Sequence, residues 1–250
     1  GEHLNSISEG VAKAVNERMK SEHLKTELIT NVSHDIKTPL TSIINYSDLI
    51  YKEETGSEKI QEYAEVLHRQ STRLKKLIED LMEASKVSTG NIEVNLELCD
   101  IGVLLTQITG EFQQKMLEQE LEIIAKQPEQ PLQILADSRL LWRVMDNLMS
   151  NICKYSQKGT RVYVSVEEVS GNAKIQLKNI SSYPLDISAD ELMERFVRGD
   201  RSRHTEGNGL GLSIAKSLTE LQGGKMELSV DGDLFKVMIT FPIQRDIIEK

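Results

Sequence analysis

The stretch NVSHDIKTPL, residues 31–40, contains a histidine, an acid and a threonine at helical spacing. Histidine can act as a nucleophile or proton carrier near neutral pH because its unperturbed pKa is about 6.5. Asp35 is the neighbour of His34, and Thr38, four residues on, shares its helical face. A solvent-facing histidine on a helix is also a common polar residue without chemistry, so the motif by itself leaves both interpretations open.

Pro39 follows this motif without ending the apolar pattern around it. A proline in a helix interior costs about 3 kcal/mol and usually marks an end or a kink. Apolar residues nevertheless recur every three or four positions across it, at Leu28, Val32, Ile36, Leu40 and Ile43. His34 lies about 200° around the helix from Val32, because each residue advances by about 100°. We therefore expect one helix that packs through its apolar stripe and turns His34 to solvent.

A second group of polar residues occurs in NLMSNICKY, residues 147–155. Asn147 and Asn151 are four residues apart and fall on one helical face, where two carboxamide oxygens suit Mg²⁺. Lys154 follows Asn151 by three residues and is close enough to reach phosphates bound there. Asparagines are also common on helix surfaces, so this motif too needs context.

A glycine-rich segment, GNGLGLSIAKSL, opens a helix at residues 207–218. Gly207, Gly209 and Gly211 let backbone amides approach a phosphate, and the helix N-terminus adds partial positive charge. An ordinary flexible loop can have the same glycines, so the pattern by itself is weak evidence for an anion site.

Helical periodicity predicts a long N-terminal hairpin. Residues 4–50 fit one helix of roughly 70 Å, a length typical of a coiled coil. Residues 52–60 provide the turn, and a second helix runs from residue 60 to about Val87. Two antiparallel helices cannot bury both apolar stripes, but two hairpins in a dimeric four-helix bundle can.

After a linker at residues 88–91, the pattern changes to short strands and helices. Alternation predicts strands at 92–100, 121–126, 132–136, 160–169, 173–179, 225–230 and 234–241. A 3.6-residue period predicts helices at 101–119, 137–156 and 210–221, the second capped by Asp137. Residues 181–208 are predicted to be irregular. We therefore expect an α+β protein in which the helical hairpin precedes an α/β sandwich of a mixed sheet and a helical layer.

Composition argues against nonspecific nucleic-acid binding and against a membrane-spanning segment. The 250-residue chain has 30 Lys and Arg against 39 Asp and Glu, and its net charge of −9 argues against nonspecific nucleic-acid binding. No run of about 18 apolar residues occurs, so we expect no segment of this sequence to span a membrane.

Four motifs, in this order, resemble the sensor histidine kinases of bacterial two-component systems, and in particular those of Gram-positive bacteria. They are HDIKTPL, NLMSNICKY, ERFVRGDRSR and GNGLGLSIAKSL, and the resemblance covers the chain from about residue 20. It implies ATP-dependent phosphorylation of His34 on a dimeric hairpin, followed by transfer to an aspartate of a response regulator. It also implies a catalytic domain with the ATPase fold shared by histidine kinases, Hsp90 and gyrase.

The resemblance assigns roles to individual residues. His34, Asp35 and Thr38 are the expected catalytic residues: Asp35 accepts a ring proton or fixes the tautomer, and Thr38 orients a water that hydrolyses the regulator's phosphoaspartate. Asn147 and Asn151 are the expected Mg²⁺ ligands. The expected nucleotide contacts are Asn147, Asn151, Lys154, Tyr155, Asn179, Phe196, Arg198, Arg201, Arg203, Gly207, Gly209, Leu210 and Gly211.

One stretch departs from the family pattern. The family's DxGxG motif corresponds here to KNISSYPLDIS, residues 178–188. Asn179 replaces the aspartate that accepts the adenine amino group, and Ser181 replaces the first glycine. An asparagine oxygen can still accept that hydrogen bond, although a contact to a charged group is about twice as strong. We expect ATP binding to be weaker than in the family but present.

Three alternative functions follow from these motifs. The degenerate motif is compatible with a catalytically weakened dimeric phosphatase or scaffold. A conformational ATPase related to chaperones and topoisomerases would share the ATP fold, but it has no phosphorylatable histidine hairpin. A catalytically silent dimeric module is disfavoured by the intact Asn151 and Gly209.

The expected domains follow from the same resemblance. They are a coiled-coil signal helix at 1–20, a dimerisation and histidine phosphotransfer domain at 21–87, the linker at 88–91 and a catalytic ATP-binding domain at 92–245. We expect this chain to be the cytoplasmic portion of a cell-membrane sensor whose membrane segments lie outside it.

Overall fold

The computed structural model describes residues 36, 38–50, 52, 58–88, 92–185, 188–193 and 209–244. The chain divides into two compact units, Gly1–Met82 and Glu83–Lys250. Among the helices of the described residues, none combines the length and the apolar composition needed to cross a bilayer.

The described residues of the first unit are helical. It contains α1, residues 38–50, and most of α2, Glu58–Ser88. The rings of Tyr46 on α1 and Tyr63 on α2 are in contact, with their centroids 5.7 Å apart. Pro39 is buried, and residues on both sides of it are helical. Several large apolar side chains of this unit are exposed, namely Leu40, Ile44, Leu49, Ile78 and Met82.

The second unit contains seven described strands and four described helices in addition to the end of α2. The strands are β1 Glu97–Asp100, β2 Glu122–Lys126, β3 Gln133–Ala136, β4 Arg161–Val169, β5 Asn172–Ile180, β6 Lys225–Asp231 and β7 Leu234–Pro242. The helices are α3 Ile101–Glu118, α4 Ser138–Tyr155, α5 Ala189–Met193 and α6 Gly211–Leu221. Five strands form a mixed sheet in the order β2-β4-β5-β7-β6, in which β2 and β4 are parallel and the other neighbours antiparallel. β1 and β3 form a separate antiparallel pair.

One face of the five-stranded sheet forms the core. Strand residues alternate between faces, and the buried apolar positions of the three central strands are Val162, Val164, Val166, Ala173, Ile175, Leu177, Val237, Ile239 and Phe241. Apolar faces of α3, α4 and α6 contribute to the same buried cluster. Each fully buried aliphatic or aromatic side chain of this kind contributes about 1.5–3 kcal/mol. The result is a two-layer sandwich of a mixed sheet and helices.

The predicted fold class is confirmed, with two corrections to the elements. The predicted strand 92–100 is strand only at Glu97–Asp100, because its partner β3 is equally short. Upstream of β1, the Asn95 N–H donates to the carboxylate of Asp137 rather than to a strand carbonyl. The region 181–208, predicted to be irregular, contains the short helix α5.

Helix α5 begins with a capping box formed by Ser188 and Glu191. The Ser188 N–H donates to Glu191 Oε2 at 2.9 Å, and the Glu191 N–H donates to Ser188 Oγ at 3.2 Å. This reciprocal pair satisfies two amides at the start of the helix. The pattern Ser-x-x-Glu in residues 188–191 was the available signal.

Asp137 joins several elements at the start of α4. Its buried carboxylate accepts from the N–H groups of Arg139, Leu140 and Asn95. Its own N–H donates to Gln222 Oε1, just after α6, at 2.9 Å. Burial alone would raise the pKa of Asp137, but the hydrogen bonds from the Arg139 side chain and these amides outweigh it and lower the pKa to about 2.

We predict that Asp137→Asn removes a stabilising charge whose effect depends on pH. Because the folded-state pKa lies below the unfolded value, the charge stabilises the fold above the unfolded pKa of about 3.9, and this stabilisation is lost as pH falls toward the folded value. The difference in free energy of unfolding between wild type and variant should therefore be largest at pH 6–7 and shrink below about pH 4. Urea unfolding from pH 3 to pH 7 measures it. The exposed Asp231→Asn is the control, and a difference independent of pH would contradict the prediction.

Gly224 is required by the packing between α6 and β6. A Cβ at this position would lie 2.5 Å from Cε1 of Phe241, a buried ring of β7. No ordinary Cβ contact is that short, so a larger side chain would have to displace the ring. The turn therefore brings its backbone directly against the core.

We predict that Gly224→Ala lowers the free energy of unfolding by about 1–3 kcal/mol, the usual cost of overpacking a core. Gly110→Ala is the matched control, because Gly110 lies in α3 and an added Cβ would meet no atom within 4 Å apart from the backbone of its own helix and its chain neighbours. The free energy of unfolding of that variant should rise by up to about 1 kcal/mol, since alanine favours helix more than glycine does. Thermal and urea unfolding of the two variants measures both effects, and equal stability of the two would refute the packing argument.

Candidate functional site

The two asparagines of α4 meet the first residue of α6. A Cβ added at Gly211 would lie 3.4 Å from Asn147 Oδ1 and 3.4 Å from Asn151 Nδ2. The glycine thus lets the α6 backbone lie close to both carboxamides. Packing of α4 against α6 in this way brings together two motifs that are far apart in the sequence.

The carboxamide of Asn147 is oriented by its own helix. Its Nδ2 donates to the Arg143 carbonyl at 3.0 Å, and the residue is 7% exposed. With the nitrogen engaged, the oxygen is the end available to a ligand. Asn151, one turn further on, is half-buried.

The start of α6 is suited to an anion. Leu210, the N-cap residue, is buried and apolar, so its side chain accepts no hydrogen bond from the first amides of the helix. Gly209 before it has a φ of +66°, a conformation that glycine adopts without strain. The first-turn amides and the helix dipole therefore favour negative charge at this point.

The donor set here fits Mg²⁺ that is bound together with phosphates. Carboxamide oxygens bind Mg²⁺, which usually completes its octahedral shell with phosphate oxygens and water. In the part of the chain that the structure describes, no three His, Cys, Asp or Glu side chains are grouped as a metal site. Asn147 and Asn151 therefore suit a metal–phosphate complex better than an ion held by protein groups alone.

Lys154 and Tyr155 complete the end of α4. Lys154 is exposed in the last turn, and Tyr155 is half-buried. The Tyr155 carbonyl accepts from the N–H of Ser182 at 2.8 Å and from its hydroxyl at 3.1 Å. These bonds hold the end of α4 beside the chain that leaves β5.

Asn179 occupies the last inward position of β5. The preceding inward residues, Ala173, Ile175 and Leu177, are apolar, whereas Asn179 is a polar residue that is 3% exposed. Its Nδ2 donates to Ser156 Oγ at 2.9 Å, and Oδ1 is buried without a hydrogen-bond partner among the described residues. A buried acceptor left unsatisfied costs about 1–3 kcal/mol, so a donor from a ligand is its natural partner.

Ser181 and Ser156 lie next to this amide. They form an isolated antiparallel bridge, and both are buried. Ser181 donates its N–H to the Asp233 carbonyl at 2.7 Å and accepts the Tyr183 N–H at its hydroxyl. The stretch KNISSYPLDIS includes Ser181, in the place of the family's first glycine, but it does not include Ser156. The signal for Ser156 was its position directly after NLMSNICKY, where α4 ends.

Several predicted site residues lie outside the described residues, namely His34, Asp35, Phe196, Arg198, Arg201, Arg203 and Gly207. Thr38 is described at the start of α1, where its side chain is exposed and its carbonyl accepts from Ser42 Oγ at 3.2 Å. The structure thus brings together Asn147, Asn151 and Gly211 at one place, and Asn179 with Ser156 and Ser181 near the end of the same helix.

Two family models match the chain in succession. Residues 24–90 match the His Kinase A (phospho-acceptor) domain. Residues 136–245 match the histidine kinase-, DNA gyrase B-, and HSP90-like ATPase. The second match contains both polar groups described above.

Individual relatives agree with these matches. Sensor protein VanS of Enterococcus faecium is 28% identical over 99% of this chain and 65% of its own length. The chain spans between 38% and 65% of the length of the curated relatives it matches. The VanS match also fits the predicted Gram-positive type.

Solved structures support the fold. Histidine kinase AdeS of Acinetobacter baumannii is 22% identical with a TM-score of 0.69, over 85% of this chain and 98% of that one. Histidine kinase ThkA, solved in complex with response regulator protein TrrA, is 19% identical with a TM-score of 0.71, over 93% of this chain and 66% of that one. With a phospho-acceptor domain in its N-terminal part and an ATPase domain of the matching fold after it, the chain belongs to the sensor histidine kinases of bacterial two-component systems.

Proposed function

We propose that this chain is the kinase core of a two-component sensor. It uses ATP to phosphorylate His34, passes the phosphoryl group to an aspartate of a response regulator, and hydrolyses the phosphoaspartate of that regulator. The main support is the convergence of Asn147 and Asn151 on the uncapped start of α6 at Gly211, which offers oxygen ligands and backbone amides at one place.

In the proposed site, the triphosphate lies between α4 and the start of α6. Asn147 and Asn151 would hold Mg²⁺, which neutralises phosphate charge when it is bound. Lys154 adds positive charge at the same end of α4, and the amides at the start of α6 receive phosphate oxygens. Asn179 accepts from the adenine amino group through Oδ1. Tyr155, Leu210 and residues of the 194–208 segment complete the expected contacts.

The proposed chemistry at His34 is an in-line displacement. A nitrogen of the neutral imidazole attacks the γ-phosphorus, an N–P bond forms as the bond to the β–γ bridging oxygen breaks, and ADP leaves. Asp35 accepts the ring proton or fixes the tautomer that exposes the attacking nitrogen. An aspartate of the regulator then attacks the same phosphorus and regenerates the histidine.

We infer that the protein acts as a homodimer through its first unit. Leu40, Ile44, Ile78 and Met82 are each more than 40% exposed in the single chain, and apolar side chains at this spacing suit a helical bundle. The phospho-acceptor match over 24–90 supports the same assignment. The proposed partner is a response regulator receiver domain, and the proposed location is the cytoplasmic side of a membrane-attached sensor.

A catalytically weakened phosphatase or scaffold is the second candidate. It is favoured by Asn179 and Ser181, which stand where the family has an aspartate and a glycine. The two candidates differ in one measurement, because only the kinase transfers label from γ-labelled ATP to its own histidine.

We predict that His34→Gln abolishes autophosphorylation and leaves ATP binding within about twofold. The phosphoacceptor and the nucleotide site belong to different family domains, so the loss of one should not remove the other. The measurement is acid-labile label from γ-labelled ATP with Mg²⁺, together with titration calorimetry for ATP.

The control for this experiment is His68→Gln, which removes an exposed histidine of α2. We expect this variant to incorporate the same amount of acid-labile label as the wild type. Persistent acid-labile label on His34→Gln would show that the phosphoacceptor is another residue.

We predict that Thr38→Ala retains most autophosphorylation but slows hydrolysis of the regulator's phosphoaspartate at least tenfold. This is the order of magnitude expected when one hydrogen bond that orients the attacking water is lost. Autophosphorylation needs the imidazole and Asp35, whereas hydrolysis needs an aligned water as well. The readouts are label on the chain and release of phosphate from a phosphorylated regulator. Thr41→Ala, an exposed threonine one turn on, is the matched control. Equal loss of both activities in Thr38→Ala would mean that Thr38 is structural.

A further inference from the structure

The end of α2, from Glu83 to Ser88, belongs to the second unit. The boundary between the two units falls between Met82 and Glu83, whereas α2 continues as one helix to Ser88. Ala84 is 2% exposed and is part of the core cluster of the second unit, and Val87 packs against that cluster. Positions 83, 84 and 87 share one helical face, because residues three and four apart are neighbours on a helix. This face of α2 is therefore built into the second unit.

An ion pair joins this end of α2 to α4. The Arg143 Nε donates to Glu83 Oε2 at 2.9 Å, across a separation of 60 residues in the chain. The two side chains are 26% and 21% exposed, so salt screens this pair less than a pair at the open surface. The same guanidinium donates through Nη1 to Asp146 Oδ2 at 3.3 Å. Arg143 thus holds an acid of α2 and an acid of its own helix at the same time.

Arg143 also contacts the proposed metal-binding turn of α4. Its carbonyl accepts from Asn147 Nδ2 at 3.0 Å, which leaves the Asn147 oxygen for a ligand. Asp146, the second acid that the guanidinium binds, directly precedes Asn147 in the chain. Arg143 therefore links the end of α2, through side-chain and backbone contacts, to the turn that carries Asn147.

This link gives α2 a physical route to the nucleotide site. The guanidinium presents its donors in one rigid plane, so withdrawal of Glu83 changes the geometry with which Arg143 holds Asp146. Because Asp146 and Asn147 are neighbours, that change reaches the Asn147 carboxamide. Coupling between two sites is reciprocal: if the docked end of α2 favours nucleotide binding, bound nucleotide favours the docked end by the same factor.

We propose that Arg143 is a positioning residue that couples the end of α2 to metal–nucleotide binding: while Glu83 holds its guanidinium, the α4 turn keeps Asn147 oriented for Mg²⁺. This rests on the proposed function, in which Asn147 binds Mg²⁺ together with ATP. A displacement of α2 that separates Glu83 from Arg143 weakens Mg–ATP binding, and bound Mg–ATP holds the end of α2 against α4.

The first measurement is the affinity of the full chain for ATP, by titration calorimetry with Mg²⁺ and with EDTA. Glu83→Gln and Arg143→Gln should each weaken Mg–ATP binding about twofold to fivefold, the effect of losing one partly exposed ion pair. With EDTA the change should be less than about twofold, because Asn147 acts through the metal. The double variant should bind Mg–ATP no more weakly than Arg143→Gln, since both changes remove the same pair.

The second measurement is amide hydrogen exchange at the end of α2. In the wild type, saturating Mg–ATP should slow exchange at residues 83–88 about twofold to fivefold, the same factor by which the pair strengthens Mg–ATP binding. This protection should disappear in Glu83→Gln and in Arg143→Gln.

Glu79→Gln is the matched control. Glu79 lies one turn before Glu83 on the same helix and pairs at the exposed surface with Lys75, whose Nζ is 3.9 Å from its Oε1. Removal of its charge should change neither the Mg–ATP affinity nor the exchange at residues 83–88. Thermal unfolding of each variant checks that it is folded.

The outcomes distinguish this proposal from the proposed function. If Glu83→Gln and Arg143→Gln bind Mg–ATP as tightly as the wild type, or lose affinity equally with and without Mg²⁺, Arg143 is only structural and the proposal fails while ATP binding stands. If the wild type binds no ATP, the proposed function fails and this proposal fails with it. A loss confined to Mg–ATP, together with loss of the protection at residues 83–88, supports the proposal.

Discussion

The packing of α4 against α6 is the contact on which the candidate site depends. At one end, Gly211 brings the first turn of α6 against Asn147 and Asn151. At the other end, the Asp137 N–H donates to Gln222 Oε1, and Gln222 Nε2 donates to the Leu218 carbonyl. Contacts therefore join the two helices at both ends. Their apolar faces pack in the same buried cluster as the sheet. Polar groups for phosphate chemistry are positioned by the same packing that stabilises the second unit.

The end of α4 also positions the polar side chains that lie beside β5. Where the helix stops, Ser156 turns its hydroxyl to Asn179 and its backbone pairs with Ser181. A buried polar cluster of this kind is unfavourable unless its hydrogen bonds are satisfied. Here one acceptor, Asn179 Oδ1, is left over within the described residues, at a cost to stability that a bound base can offset. Stability and ligand binding are therefore linked at this residue.

Much of the fold followed from local patterns in the sequence. The alternation in β4 and β5 and the helical period of α4 reflect which face of each element is buried, so the elements were predictable within one or two residues at most ends. Of the two errors, the short helix α5 had a local signal in its capping box, whereas the error at 92–100 arose where long-range contacts override local pattern. Residues 92–96 alternate like a strand, but the partner strand is too short to pair with them, and Asp137 binds the Asn95 amide instead.

The sequence by itself determined which residues have the chemistry for the site. The spacing of Asn147 and Asn151 on one helix, the glycines before α6 and the replacement of aspartate by Asn179 are all visible in it, because helical period and side-chain chemistry are local properties. Only the tertiary structure decided that Gly211 lies against both asparagines and that Asn179 keeps its oxygen unpaired while Ser156 takes its nitrogen. These facts depend on how helices and strands pack across the chain, and hydrogen-bond direction between distant residues is set by that packing rather than by residue spacing.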